Sequence, residues 1–250
     1  MKLSQLNALR SSSSGLHVIT YSNYNHAKGK FYQTTGYVTL PDVTSVVSSS
    51  SNRTRPYVMF GAYQDISPWG GFDAGLVYYK EKGNKGTWKL FFNGLNSGWA
   101  ENADSKGIAT NVAKKVYLQM YFQNNGYTTI LVREPSTWTI IDQIDYYMGT
   151  SFNTNPSKIM ITRETALAQD NRLNNGTKMR NTKWEQVYLY SNLITTTATS
   201  EYLLTNTGSN RWSYNNSYPK YIYGDEQSDK SYISITSPSY YYGETVSINI

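Results

Sequence analysis

The stretch KVYLQMYFQNNGYTTILVRE, Lys115 to Glu134, decides the fold. Val116, Leu118, Met120 and Phe122 alternate with Tyr117, Gln119, Tyr121 and Gln123. Successive side chains of a strand point to opposite faces, so one face is apolar and the other carries aromatic rings and amides. Asn124-Asn125-Gly126 supplies a tight turn, because Asn and Gly tolerate positive φ. The return strand carries Ile130 and Val132 on one face and Thr129, Leu131 and Arg133 on the other. The stretch predicts the centre of an antiparallel sheet, with one face in a core and one open to a ligand.

Counting outward from the turn sets Gln119 and Tyr121 near Thr129 to Leu131, with Arg133 one pleat further along. A slip of one residue would turn Arg133 to the core side. Burying an unpaired guanidinium is costly, so Arg133 belongs beside the polar-aromatic face. Gln119, Tyr121 and Arg133 are therefore expected to line one groove, with Trp69 or Trp99 at its rim.

On either side of this hairpin the chain repeats the same period. Leu16 to Tyr21, Gly29 to Leu40 (Gly36 as a bulge), Tyr57 to Tyr63 and Phe72 to Lys80 read as strands. So do Thr87 to Asn93, Thr137 to Asp145, Ser157 to Arg163 and Trp184 to Tyr190. Gly83-Asn84-Lys85-Gly86 joins two of them as a hairpin. Gly94 to Gly107, which holds Trp99, reads as a loop, and so does Thr165 to Thr182, with room for one helical turn. Trp88, Trp138 and Trp184 fall within strands and are assigned to packing. Many short strands, turn signals between them and almost no helical period predict an all-β, two-sheet sandwich or barrel. Residues 1–15 read as a leader and linker, residues 16–192 as the sandwich, with a soft boundary near Asn192. Residues 193–250 form a Tyr-rich β segment, either further strands or the start of a small second domain.

Composition narrows the function classes. Charged residues are only 16% of the 250, so solubility rests on Ser, Thr, Asn, Gln and 24 tyrosines. Tyr has an apolar body and a polar tip, which suits half-exposed strand faces and surfaces that contact sugars. The net charge of +6 is spread without a basic run, which argues against nucleic acid and allows weak attraction to an anionic polymer. No cysteine is present, which excludes disulfides and thiolate metal sites, and two histidines, His17 and His26, are too few for a histidine-rich zinc site. No long apolar run follows Met1-Lys2-Leu3, so neither a signal peptide nor a membrane span is expected. The composition fits a secreted or cell-surface protein, its signal either removed or never used.

The run from Tyr57 to Tyr190 resembles a concanavalin A-like lectin/glucanase jelly roll. The resemblance lies in FGAY, FDAGLVYY, WKLFFNG, the central hairpin and the late WEQVYLY strand. It implies two curved sheets, a concave face that binds glycans and, often, a structural calcium. Arg163-Glu164 also resembles the Arg/Glu pair on a strand of some jelly-roll polysaccharide lyases, but no histidine follows Gln119 at the matching place. The acidic strand of jelly-roll glycosidases is absent. Asp142 and Asp145 fall on opposite faces and read as a strand end and turn, not as a catalytic pair. Asp225 to Asp229 is an oxygen-rich turn without the calcium-loop pattern.

The resulting expectation is a carbohydrate-binding sandwich without a catalytic motif, its partner a polysaccharide or cell-surface glycan. The ligand-binding candidates are Gln119, Tyr121, Arg133, Arg163, Trp69 and Trp99. Two alternatives stand beside it. One is a lyase or glycoside hydrolase on an anionic glycan, using Arg133, Arg163, Gln119 and Tyr121. The other is a structural or matrix subunit.

Overall fold

Period-two patterning becomes strand along nearly the whole described chain. The computed structural model describes residues 14–22, 32–46, 54–64, 70–80, 86–94, 98–101, 107–109, 115–123, 125–149, 159–169, 176–190, 201–203, 212–213, 221–223, 232–239 and 243–249. The strands are β1 (Ser14–Ser22), β2 (Gln33–Thr39), β3 (Asp42–Thr44), β4 (Thr54–Gln64), β5 (Gly70–Lys80) and β6 (Gly86–Gly94). There follow β7 (Gly98–Glu101), β8 (Ile108–Ala109), β9 (Lys115–Phe122), β10 (Tyr127–Arg133), β11 (Ile140–Tyr147) and β12 (Ile159–Gln169). The last are β13 (Lys178–Tyr190), β14 (Glu201–Leu203), β15 (Trp212–Ser213), β16 (Tyr221–Tyr223), β17 (Ile233–Ser239) and β18 (Gly243–Asn249).

They form two antiparallel sheets packed as a sandwich. The first runs β15-β1-β12-β4-β5-β6-β7, with β16 beside β1 and β8 beside β6. The second runs β11-β10-β9-β2-β13-β18-β17, with β14 and β3 beside β13. The core lies between them. From the first sheet come Phe60, Phe72, Leu76, Trp88, Leu90 and Phe92; from the second come Leu118, Met120, Ile130, Val132 and Trp184. Phe60 meets Trp184 across the gap at 5.4 Å between ring centroids. Burying large aromatic and aliphatic side chains from both inner faces is what holds two such sheets together.

The central hairpin forms as its alternation predicts. Residues 115–122 alternate between exposed or half-buried and buried positions along β9. Gly126, at φ +88°, carries the turn. Its amide bonds to the Gln123 carbonyl, and the Gln123 amide bonds to Tyr127 O.

Five readings change. Thr165 to Gln169 continue β12, and Lys178 to Thr182 begin β13, so most of the expected polar loop is paired strand. The threonines there are buried, and the Thr165 hydroxyl accepts a hydrogen bond from Trp184 Nε1 at 3.0 Å. Trp138 is not in a strand: it sits in the β10–β11 turn at φ +60° and is half exposed. Trp99 belongs to edge strand β7 instead of a loop. The irregularity expected at Gly36 lies opposite it, between Glu185 and Tyr188 of β13. Gly36 gives that bulge room, since a Cβ there would fall 2.9 Å from a Val187 methyl. Asp142 and Asp145 do face opposite sides, but within β11 and not at its end. The leader up to Ser13, Trp69 and the Asp225 to Asp229 turn lie outside the described residues.

Candidate functional site

The outer face of the second sheet is built in rows, because directly paired residues of neighbouring strands share a face. One row reads Asp145, Thr129, Tyr121, Gln33, Tyr190 across β11, β10, β9, β2 and β13. The next reads Gln143, Leu131, Gln119, Thr35, Tyr188. The third sets Arg133, Tyr117, Tyr37 and Glu185 side by side. At ordinary strand spacing and rise these five strands offer a face about 20 Å wide and about 20 Å long.

Polar groups at its two ends are already engaged. The Asp145 carboxylate accepts from Thr129 Oγ1 at 2.5 Å, from Gln123 Nε2 at 3.2 Å and from Gln143 Nε2 at 2.9 Å. Gln123 Nε2 also reaches Thr129 Oγ1 at 2.7 Å. At the other end Glu185 takes Lys115 and Lys183, each at 2.9 Å. Burial by itself raises the Glu185 pKa, but the hydrogen bonds and charges of the two lysines outweigh it and hold the carboxyl below its usual 4.5. Lys115 lies 5.0 Å from the Tyr37 ring centroid, and Tyr37 meets Tyr117 edge-on at 5.1 Å. In the middle, Gln119 and Tyr121 are half-buried, and among the described residues neither side chain has a hydrogen-bond partner.

Gln119, Tyr121 and Arg133 thus come together on one face in the register that the turn implies. Arg133 is partly committed, its Nη1 donating to the Trp138 carbonyl at 2.9 Å. The aromatic at the rim is Trp138, which packs edge-on against Tyr117 at 5.0 Å. Trp99 is across the sandwich, where its backbone pairs with Asn93 of β6. Tyr127 and Tyr147, both exposed and 5.1 Å apart, mark the opposite end.

Arg163 does not join them. It stands in β12 of the first sheet and points between the sheets, where its Nη2 lies 2.8 Å from Glu244 Oε1 of β18. Its guanidinium is also 5.9 Å from the Trp184 ring centroid. The constellation of Arg163 with Gln119, Tyr121 and Arg133 around one uronate is therefore dispersed over two sheets. Glu164, next in the chain, points the other way.

On that outer face of the first sheet is a cluster that sequence reasoning missed. Glu164 Oε1 lies 2.5 Å from His17 Nδ1, with both side chains buried. The Tyr63 hydroxyl donates to Asp73 Oδ1 further along the same face. His17 and Glu164 are 147 positions apart and meet only through the β1–β12 register. Among the described residues no group of three or more His, Cys, Asp or Glu is gathered to hold a metal, and no helix is long and apolar enough to cross a membrane.

No family model and no curated protein matches the chain. Among solved structures it is similar to scytalido-glutamic peptidase with a transition state analog inhibitor, at a TM-score of 0.50 and 5% identity, over 95% of this chain and all of that one. A peptidase of the eqolisin family in complex with the tripeptide Ala-Ile-His gives 0.44 and 6%, over 95% and 100%. An alginate lyase from Pseudomonas aeruginosa gives 0.34 and 8%, over 58% of each chain. At 5% identity the first likeness is one of fold, an all-β sandwich.

Proposed function

We propose that the chain is a carbohydrate-binding sandwich of concanavalin A-like type, acting at the outer face of its second sheet. The carrying observation is the pair Gln119 and Tyr121. Among the described residues they are half-buried polar groups without hydrogen-bond partners, set between the Asp145 network at one end of the face and the Glu185 ion pairs at the other. A sugar offers what such a surface lacks: hydroxyls for the amide and phenol, and C–H faces for the rings of Tyr117, Tyr127, Tyr147 and Trp138. The fixed Asp145 network keeps the face in one shape, so little entropy is lost on binding. Retention on polysaccharides tests the reading. Gln119→Ala with Tyr121→Ala is expected to cut affinity for a retained polymer at least tenfold. Two half-exposed truncations should lower stability by only about 1 kcal/mol. A folded native protein retained by no neutral or anionic polysaccharide overturns the proposal.

A second reading, acid–base catalysis, rests on the His17–Glu164 pair. A carboxylate beside an imidazole on a dry sheet face is a usual arrangement for proton transfer. Turnover of a retained polymer, read as new reducing ends or near-ultraviolet absorbance, is expected to vanish in Glu164→Gln with retention intact. Native protein that turns over none removes this reading and leaves the first untouched.

A further inference from the structure

A cleft opens at one end of the sandwich, between β3 with its following turn and the end of β5. Its volume is about 440 Å³, and it is lined by Val43, Thr44, Ser45, Val46, Tyr78 and Lys80. That size falls in the range of small-molecule sites, which are typically apolar with a few placed polar groups.

Each wall is held from behind. Val46 and Tyr78 belong to the core, and Val43 packs against it. The Tyr78 ring meets Trp88 edge-on at 5.4 Å. It leans over Gly86, where a Cβ would fall 1.8 Å from the Tyr78 hydroxyl. Ser45 is held at φ +59°, a conformation that side-chain-bearing residues seldom adopt, and its carbonyl accepts from Thr177 Oγ1 at 2.9 Å. Lys80 stands exposed at the mouth. Its Nζ is 3.4 Å from the Val46 carbonyl, longer than an ordinary N–H···O bond. No carboxylate among the described residues pairs with it. An ammonium has three protons to donate, and among the described residues this one has a single long tether.

We propose that this cleft binds a compact organic anion with an apolar body, its carboxylate on Lys80 and its body against Val43, Val46 and Tyr78. The hydroxyls of Thr44 and Ser45 supply further donors to the carboxylate. The site lies apart from the polar-aromatic face and does not depend on a glycan being the ligand there.

Benzoate is the probe, and benzamide is its uncharged counterpart of the same shape. Titration of the full chain, followed by amide chemical shifts, is expected to show saturable benzoate binding centred on Val43 to Val46 and Tyr78 to Lys80. Benzamide should bind at least tenfold more weakly. Lys80→Gln keeps an exposed polar residue and should lower benzoate affinity about tenfold, the worth of one hydrogen bond to a charged group. Gln119→Ala with Tyr121→Ala should leave it unchanged. Benzoate that does not saturate, binds no better than benzamide, survives Lys80→Gln undiminished or shifts amides elsewhere overturns the proposal.

Discussion

Removing the Glu244 carboxylate, as Glu244→Ala, is expected to destabilise the protein by about 3–5 kcal/mol, the usual result of breaking a buried ion pair from one side. Glu244 comes from β18 in the second sheet, and Arg163 from β12 in the first. Their side chains are 5% and 10% exposed, so solvent screens them little. The truncation leaves the guanidinium between the sheets, close to the Trp184 ring, without the anion 2.8 Å away. The pair itself is not the source of the whole effect. Desolvating both ions costs much of what their attraction returns, and apolar replacements of similar volume are often neutral or better. Arg163→Met with Glu244→Leu should therefore recover most of the loss. Denaturant unfolding of the two variants separates the cases. A loss below about 1 kcal/mol in Glu244→Ala would place the pair in the class of screened surface bridges.

Arg163 also shows where sequence reading succeeds and where it stops. The β9–β10 hairpin was legible because one of its faces is the core. Alternation then fixes which side chains share the other face, and the turn fixes the register that sets Arg133 opposite Tyr117. The same alternation separates Arg163 from Glu164, since neighbours on a strand point apart. It does not say which side of β12 is the interior. That depends on the strands on each side, β1 from the start of the chain and β4 from its first third. The His17–Glu164 contact is created by that pairing, so no local pattern announces it. Thr165 to Gln169 failed for a related reason. A strand paired on both edges needs no apolar pattern to stay ordered, and its threonines are buried by the fold instead of by their own hydrophobicity. Trp138 misled through its apolar neighbours, although Pro135-Ser136 two residues earlier carried the turn signal.

Gly75→Ala is expected to cost about 3 kcal/mol, at the upper end of what overpacking usually costs. Propensity argues the other way, because Ala in a strand interior is favoured over Gly by roughly 0.5–1 kcal/mol. Geometry decides the sign. Gly75 pairs with Met59 on β4 and Phe91 on β6, in the middle of the first sheet. A Cβ there would lie 2.4 Å from the Val58 carbonyl oxygen, 2.5 Å from Met59 Cα and 2.7 Å from Met59 Cβ. None of these atoms can rotate aside, so β4 and β5 would have to part in the row that also holds Glu164, opposite Met59. Gly61, on the same face, is the control. The obstacles to its Cβ are the Thr162 hydroxyl at 2.4 Å and the Tyr63 ring at 2.8 Å, both ends of side chains. Gly61→Ala can be relieved by rotating the Thr162 hydroxyl and turning Tyr63 away, at the loss of its bond to Asp73, and should cost about 1–2 kcal/mol. Unfolding free energies for the two variants should therefore differ, with Gly75→Ala the weaker protein. Equal stability, or a gain in Gly75→Ala, would show that β4 and β5 do not approach this closely in solution.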